Sequence, residues 1–253
     1  MVRSLRVAAT ALVTLAAVPA GAVVGGREGG AWERSAVMVL GSRGNVCSGV
    51  VLAADVVLTA AHCVKNAPEH RIHFRSAAGE PVLVTTAGIA VHPGYRAEAV
   101  ARRERSVDIA LVRLAEPLPD SFAPARLSAA APPAAGTRLA LGGYGVARED
   151  EPRSSGTFRT ADLAAVEPYG RGAILVWLAD PAGLGKRPGA GACEGDSGGP
   201  IADGGSIVAV TSWSTGAGKA TCGLLTQGIA LGPQRAWIDA TLARWGRMAQ
   251  WGE

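Results

Sequence analysis

The sequence predicts an all-β protein made of two strand sets of similar size. Two observations carry this. Residues 23–231 run as short apolar segments broken by Gly, Pro and Asp, the punctuation of strands and tight turns. A stretch at 116–136, with Pro117, Pro119, Pro124, Pro132 and Pro133 among many alanines, divides these segments into an earlier and a later group and reads as a surface connection. Two β-barrels are the natural reading.

In chain order, the first element is a leader. Arg3 and Arg6 precede an apolar run from Val7 to Val18, and Ala20-Gly21-Ala22 puts small residues where a signal peptidase reads. The run is too short to span a membrane. Residues 1–22 are therefore expected to be a secretory signal, with fold reasoning starting at Val23. The first barrel, about 23–120, takes strands at Val37–Leu40, Gly49–Leu52, Val56–Thr59, Arg71–Phe74, Val82–Val91 and Asp108–Leu114. The second, about 121–233, takes Thr137–Leu141, Arg159–Val166, Ala173–Leu178, Ile207–Trp213 and Leu224–Ala230. Pro233 opens a C-terminal helix over about 234–248, whose apolar stripe Trp237, Ile238, Thr241, Leu242 and Trp245 is expected to pack on the second barrel.

Composition excludes several classes. The formal charge of +4 falls to about +2 once Arg3 and Arg6 leave with the signal, and the cluster Arg102-Arg103-Glu104-Arg105 reads as a solvated loop. No nucleic-acid partner is indicated. No second long apolar run follows the leader, so a stable membrane anchor is not expected and the processed chain reads as a soluble monomer. Four cysteines in an exported chain suggest two disulfides, with three possible connectivities. Metal and cofactor sites are not expected: Cys-x-x-Cys is absent, and His70 and His73, three apart in a strand-like run, face opposite sides.

Three motifs carry chemistry. Gly195-Asp196-Ser197-Gly198-Gly199-Pro200 places a serine among glycines that let backbone amides approach a substrate. Thr59-Ala60-Ala61-His62-Cys63 supplies a histidine, and Asp108-Ile109-Ala110-Leu111 a carboxylate at the head of an apolar run. Each motif alone is weak, since glycine and serine crowd ordinary turns. Gly195–Gly199 also matches the nucleophile elbow of α/β-hydrolases, but that fold needs its histidine after the serine, and His62, His70, His73 and His92 all precede Ser197. A subtilisin-like order needs an aspartate before the histidine, and Asp55 has no supporting motif.

The order His62, Asp108, Ser197, with cysteines beside the histidine and the serine, resembles the trypsin/chymotrypsin family of serine endopeptidases, in a bacterial-type form without a long propeptide. His92-Pro93-Gly94-Tyr95, Gly143-Tyr144-Gly145 and Ser212-Trp213-Ser214 extend the resemblance over essentially all of 23–251. It implies two six-stranded antiparallel barrels of the trypsin-like type with a cleft between them. It also implies disulfides Cys47–Cys63 and Cys193–Cys222, worth roughly 3 kcal/mol each in the chain-entropy model.

The site follows from the same resemblance. Ser197 is the nucleophile, His62 its base and Asp108 the residue that orients the imidazole. The N–H groups of Gly195 and Ser197 form the oxyanion hole. Ser212 hydrogen-bonds Asp108, and Ser212-Trp213-Ser214 pairs with an extended substrate. Val23-Val24-Gly25-Gly26 resembles the activating N-terminal motif, so cleavage after Ala22 would release an amine for Asp196. The specificity pocket maps to Gly191 at its floor and to Ser214 and Gly228 on its walls. With no charge at Gly191, an uncharged side chain is expected before the scissile bond, although Glu194 at the rim could bias this. The expected partners are protein or peptide substrates and protein protease inhibitors. Two other readings are a catalytically silent homologue acting as a binding or regulatory module, and a physiological esterase with the same acyl chemistry.

Overall fold

The computed structural model describes residues 23–252 apart from 66 and 103, so the expected signal at 1–22 lies outside the described residues. In chain order the strands are β1 (Arg27–Glu28), β2 (Ala36–Gly41), β3 (Val46–Ala53), β4 (Val56–Thr59), β5 (His70–Arg75), β6 (Pro81–Val91), β7 (Ala110–Leu114), β8 (Arg126–Ser128), β9 (Arg138–Gly143), β10 (Arg159–Val166), β11 (Leu175–Ala179), β12 (Pro200–Asp203), β13 (Ser206–Thr215), β14 (Leu225–Ala230) and β15 (Gln250–Gly252). The helices are α1 (Ala61–Lys65), α2 (Ala99–Arg102) and α3 (Arg235–Arg244).

Both barrels are six-stranded, antiparallel and closed. The first runs β2-β3-β4-β7-β6-β5, and the second runs β12-β9-β10-β11-β14-β13, closed by β12 against β13. The central strands of the first barrel read as unbroken apolar runs because both of their faces are covered. Val51, Val57, Ala110 and Val112 point into that barrel. Their neighbours Val50, Leu52, Val56, Leu58 and Leu111 turn the other way, onto Leu127, Ile207, Val210 and Ile229 from the second half. At about 1.5–3 kcal/mol per buried aliphatic side chain, this shared core fixes the two barrels against each other.

Four expectations need correction. The segment 23–28 belongs to the second barrel: Val23 packs with Leu139, Leu163 and Ile201, and β1 pairs with Arg159 and Thr160 of β10. The second barrel needs β12, a short strand opened by proline that the sequence reading did not list. Helix α3 stops at Arg244 rather than near 248, because Gly246 takes φ +68° and turns the chain away. Its buried Ile238 and Leu242 join the core shared by both barrels, not the second barrel alone. Past α3, Arg247 donates to both carboxylate oxygens of Asp55 at 2.7 and 2.9 Å, tying the C-terminal segment back to the β3–β4 turn.

Candidate active site

Helix α1 follows β4 directly, and the Cys47–Cys63 disulfide fastens it to β3. This holds His62 beside Asp108, which sits in the loop two residues before β7 and not in the strand itself. The His62 backbone N–H donates to Asp108 Oδ1 at 2.9 Å, and His62 Nδ1 lies 2.7 Å from Asp108 Oδ2. Ser212 Oγ donates to the same Oδ2 at 2.6 Å. Burial of Asp108 pushes its carboxyl pKa up, but the imidazole N–H, the Ser212 hydroxyl and the His62 amide outweigh burial and hold it below the usual carboxylate value. A permanent carboxylate on the Nδ1 side fixes the proton there and leaves the Nε2 lone pair as the acceptor. His62 Nε2 stands 3.7 Å from Cys63 Sγ. Among the described residues Ser197 Oγ makes no hydrogen bond with it.

Ser197 comes from the other barrel, on a segment braced by backbone contacts. Its carbonyl accepts from the Ser48 N–H at 2.8 Å. Ser48 Oγ donates to the Gly195 carbonyl at 2.9 Å and accepts from the Tyr144 N–H at 2.9 Å. Gly195 has φ +95°, and a Cβ there would lie 2.7 Å from Gly145 Cα, so only glycine fits. Among the described residues, the N–H groups of Gly195 and Ser197 donate to nothing within the chain. Below them Asp196 is fully buried and accepts from the N–H groups of Gly145 and Cys193, each at 2.9 Å. Desolvation pushes its pKa up to about 7, against the pull of those two N–H groups and of Arg159.

The remaining expected residues divide. Cys193 pairs with Cys222 as the resemblance implied. Among the described residues, β13 beyond Val210 has β14 on one edge and no strand on the other, which leaves that edge of Trp213–Thr215 without a strand partner. Trp213 is 38% exposed there and meets Trp177 edge-on at 6.1 Å. Gly191 faces Gly223: a Cβ on Gly191 would be 3.2 Å from Gly223 Cα and 3.3 Å from Thr226 Oγ1, and the Asp180 carboxylate accepts from the adjoining Ala190 N–H at 2.7 Å. Gly228 is not part of this wall. It pairs with Val176 and Thr211, and a Cβ there would strike Ile201 at 2.5 Å in the barrel core. The glycine opposite Gly191 is Gly223, next to Cys222. Glu194 is exposed.

Sequence reasoning missed Ser48 and Gly223. Each adjoins a paired cysteine, and that adjacency is the signal that could have found them. Cys47, His62 and Cys63 cluster at metal-ligand spacing, but both sulfurs are consumed in a disulfide.

The family model for trypsin matches residues 23–232. The chain belongs to the trypsin family of serine endopeptidases. Among relatives of this trypsin-family chain, trypsin alpha of Drosophila erecta is 27% identical over 208 residues, covering 77% of either chain. Human kallikrein-15 is 29% identical over 189 residues, covering 66% of this chain and 70% of the kallikrein. Mouse neuropsin, a serine protease expressed in the limbic system, superposes with a TM-score of 0.70 at 23% identity, covering 87% of this chain and 99% of its own, and so shares the fold.

Proposed function

We propose that this trypsin-family chain is a secreted endopeptidase that cleaves peptide bonds through His62, Asp108 and Ser197 and an acyl-enzyme. The observation that carries the reading is the Asp108 carboxylate, bonded at once by His62 and Ser212. It fixes the imidazole with Nε2 as the base. In the first half-reaction Nε2 takes the Ser197 proton as Oγ attacks the peptide carbonyl, and the oxyanion accepts from the N–H groups of Gly195 and Ser197. Asp108 stabilises the imidazolium, which then protonates the leaving amine. Water repeats the sequence to release the acid. This chemistry requires Ser197 Oγ and His62 Nε2 to come within hydrogen-bond reach in the Michaelis complex.

Activation rests on Val23 and Asp196. Val23 is buried with φ +53°, a backbone conformation that β-branched residues rarely adopt. Cleavage after Ala22 removes that torsional constraint and creates the amine that this reading pairs with the buried Asp196 carboxylate. The two disulfides favour an oxidising, extracellular or periplasmic setting.

Gly191, Gly223 and Thr226 carry no charge, and the nearby Asp180 carboxylate is taken up by the N–H groups of Ala182 and Ala190, so an apolar or aromatic side chain fits the pocket better than arginine or lysine. Peptide anilides differing only in the residue before the scissile bond test this. Turnover with Phe or Leu above Arg supports it, and Arg as the best substrate refutes it. The silent-homologue reading draws on the missing Ser197–His62 hydrogen bond, and it requires that no peptide anilide be turned over.

A further inference from the structure

Arg159 is a charged residue buried where a hydrophobic one would cost less. It opens β10 at 7% exposure. Its guanidinium reaches Glu28 Oε1 of β1 at 2.8 Å and the Ser154 carbonyl at 3.3 Å. Its Nε is buried without a hydrogen-bond partner among the described residues. Glu28 is largely exposed, so this ion pair compensates poorly for a buried charge.

The other neighbour of Arg159 suggests a use for the charge. Across the β9–β10 ladder its partner is Gly143, and a Cβ at Gly143 would lie 2.2 Å from Asp196 Oδ1. Arg159 therefore flanks the chamber that encloses the Asp196 carboxylate, which among the described residues no cation touches directly. The charged and titratable groups around that carboxylate are Arg159 on β10, Glu28 beyond it on β1, Tyr144 in the segment that supplies Gly145, and Glu194, exposed on the carboxylate's own segment. A cut after Ala22 adds the Val23 amine.

We propose that Arg159 is a positioning residue for the oxyanion loop: its buried charge keeps Asp196 inward and ionised and, through Glu28, links that state to docking of the N-terminal strand. The effect on turnover rests on the protease reading above, but the electrostatic coupling does not. Burial alone drives Asp196 toward its neutral form, and Arg159 is the one cation among the described residues that opposes this. Glu28 spans β1 and β10, so undocking β1 frees the guanidinium to swing toward solvent.

The test pairs two readouts on the purified, N-terminally processed protein: the 13C titration of the Asp196 carboxyl, and the pH profile of kcat/KM on a peptide anilide. In Arg159→Met the Asp196 midpoint should move up by about one pH unit, the size expected for losing a nearby opposite charge. The acidic limb of kcat/KM should follow, with kcat falling and KM little changed. Arg159→Lys should restore both readouts, and Arg159→Gln should move the midpoint as Arg159→Met does. An unmoved midpoint in Arg159→Met overturns the proposal. If that variant does not fold, an unmoved midpoint in Arg159→Gln overturns it instead. A shifted midpoint in a protein that lacks turnover would support the coupling and refute the protease reading.

Discussion

The two halves of the site are held by different forces. On the first barrel, His62 and Asp108 are fixed through one carboxylate, on which three hydrogen bonds converge, two from His62 and one from Ser212 of β13, and whose pKa is thereby held down. On the second barrel, Ser197 and Gly195 are fixed through the backbone, by Ser48 and by glycines with no room for a Cβ. The carboxylate beneath them has its pKa raised by burial. The comparison separates a half whose carboxylate is satisfied by direct hydrogen bonds from one whose buried charge depends on a distant cation or on a newly made amine. Substitutions in the first half should alter proton transfer and little else. Those in the second should alter the shape of the oxyanion loop.

The largest effect should come from Ser197→Ala or His62→Ala. Each removes an indispensable member of one acid–base unit, and a loss of about 10⁶-fold in kcat is expected, with the thermal unfolding midpoint unchanged. Residual turnover of a few per cent in either variant would remove that residue from the mechanism. Next comes Asp108→Asn. An amide in place of the carboxylate favours the wrong imidazole tautomer, and kcat should fall by about 10⁴-fold. A loss no larger than that of Ser212→Ala would mean the carboxylate is not what orients His62.

On the other side of the comparison, Asp196→Asn should lower kcat by roughly 100- to 1,000-fold, the range for a lost oxyanion donor, because the loop loses its buried anchor while the imidazole is untouched. A fall in kcat/KM carried wholly by KM would place the damage in the substrate pocket instead.

The smallest effect is on stability, and its sign follows from the raised pKa. With the folded value about 7 and the unfolded value 3.8, Asp196 contributes fully below pH 3.8, and that contribution is lost as pH rises toward 7. A form extended before Val23, lacking the paired amine, should therefore lose stability between pH 4 and 7 relative to the processed form. Urea unfolding of both forms across that window checks it, and parallel curves would contradict the pairing.

Much of this was legible in the sequence, and what was not has identifiable causes. All eleven strands read from apolar runs are present. β12 escaped notice because Pro200-Ile201-Ala202-Asp203 is short and opens on proline, and β1, β8 and β15 are too brief to show a period. The α3 stripe misled because Trp245 continues the spacing although the helix ends one residue earlier, at Arg244. His62, Asp108, Ser197 and the cysteines stood in motifs of fixed spacing. The Gly228 assignment failed because counting along the chain cannot foresee that Gly223 closes against Gly191. Arg159 offered no motif at all: what singles it out is burial and a cross-strand neighbour, and only the folded chain displays these.

The most direct test of the central account is mass spectrometry of the processed protein after exposure to an organophosphonate fluoride. The account predicts one adduct per chain, on Ser197, absent when His62 is replaced by alanine. A folded protein that stays unmodified at Ser197, or that is modified equally well without His62, would contradict it.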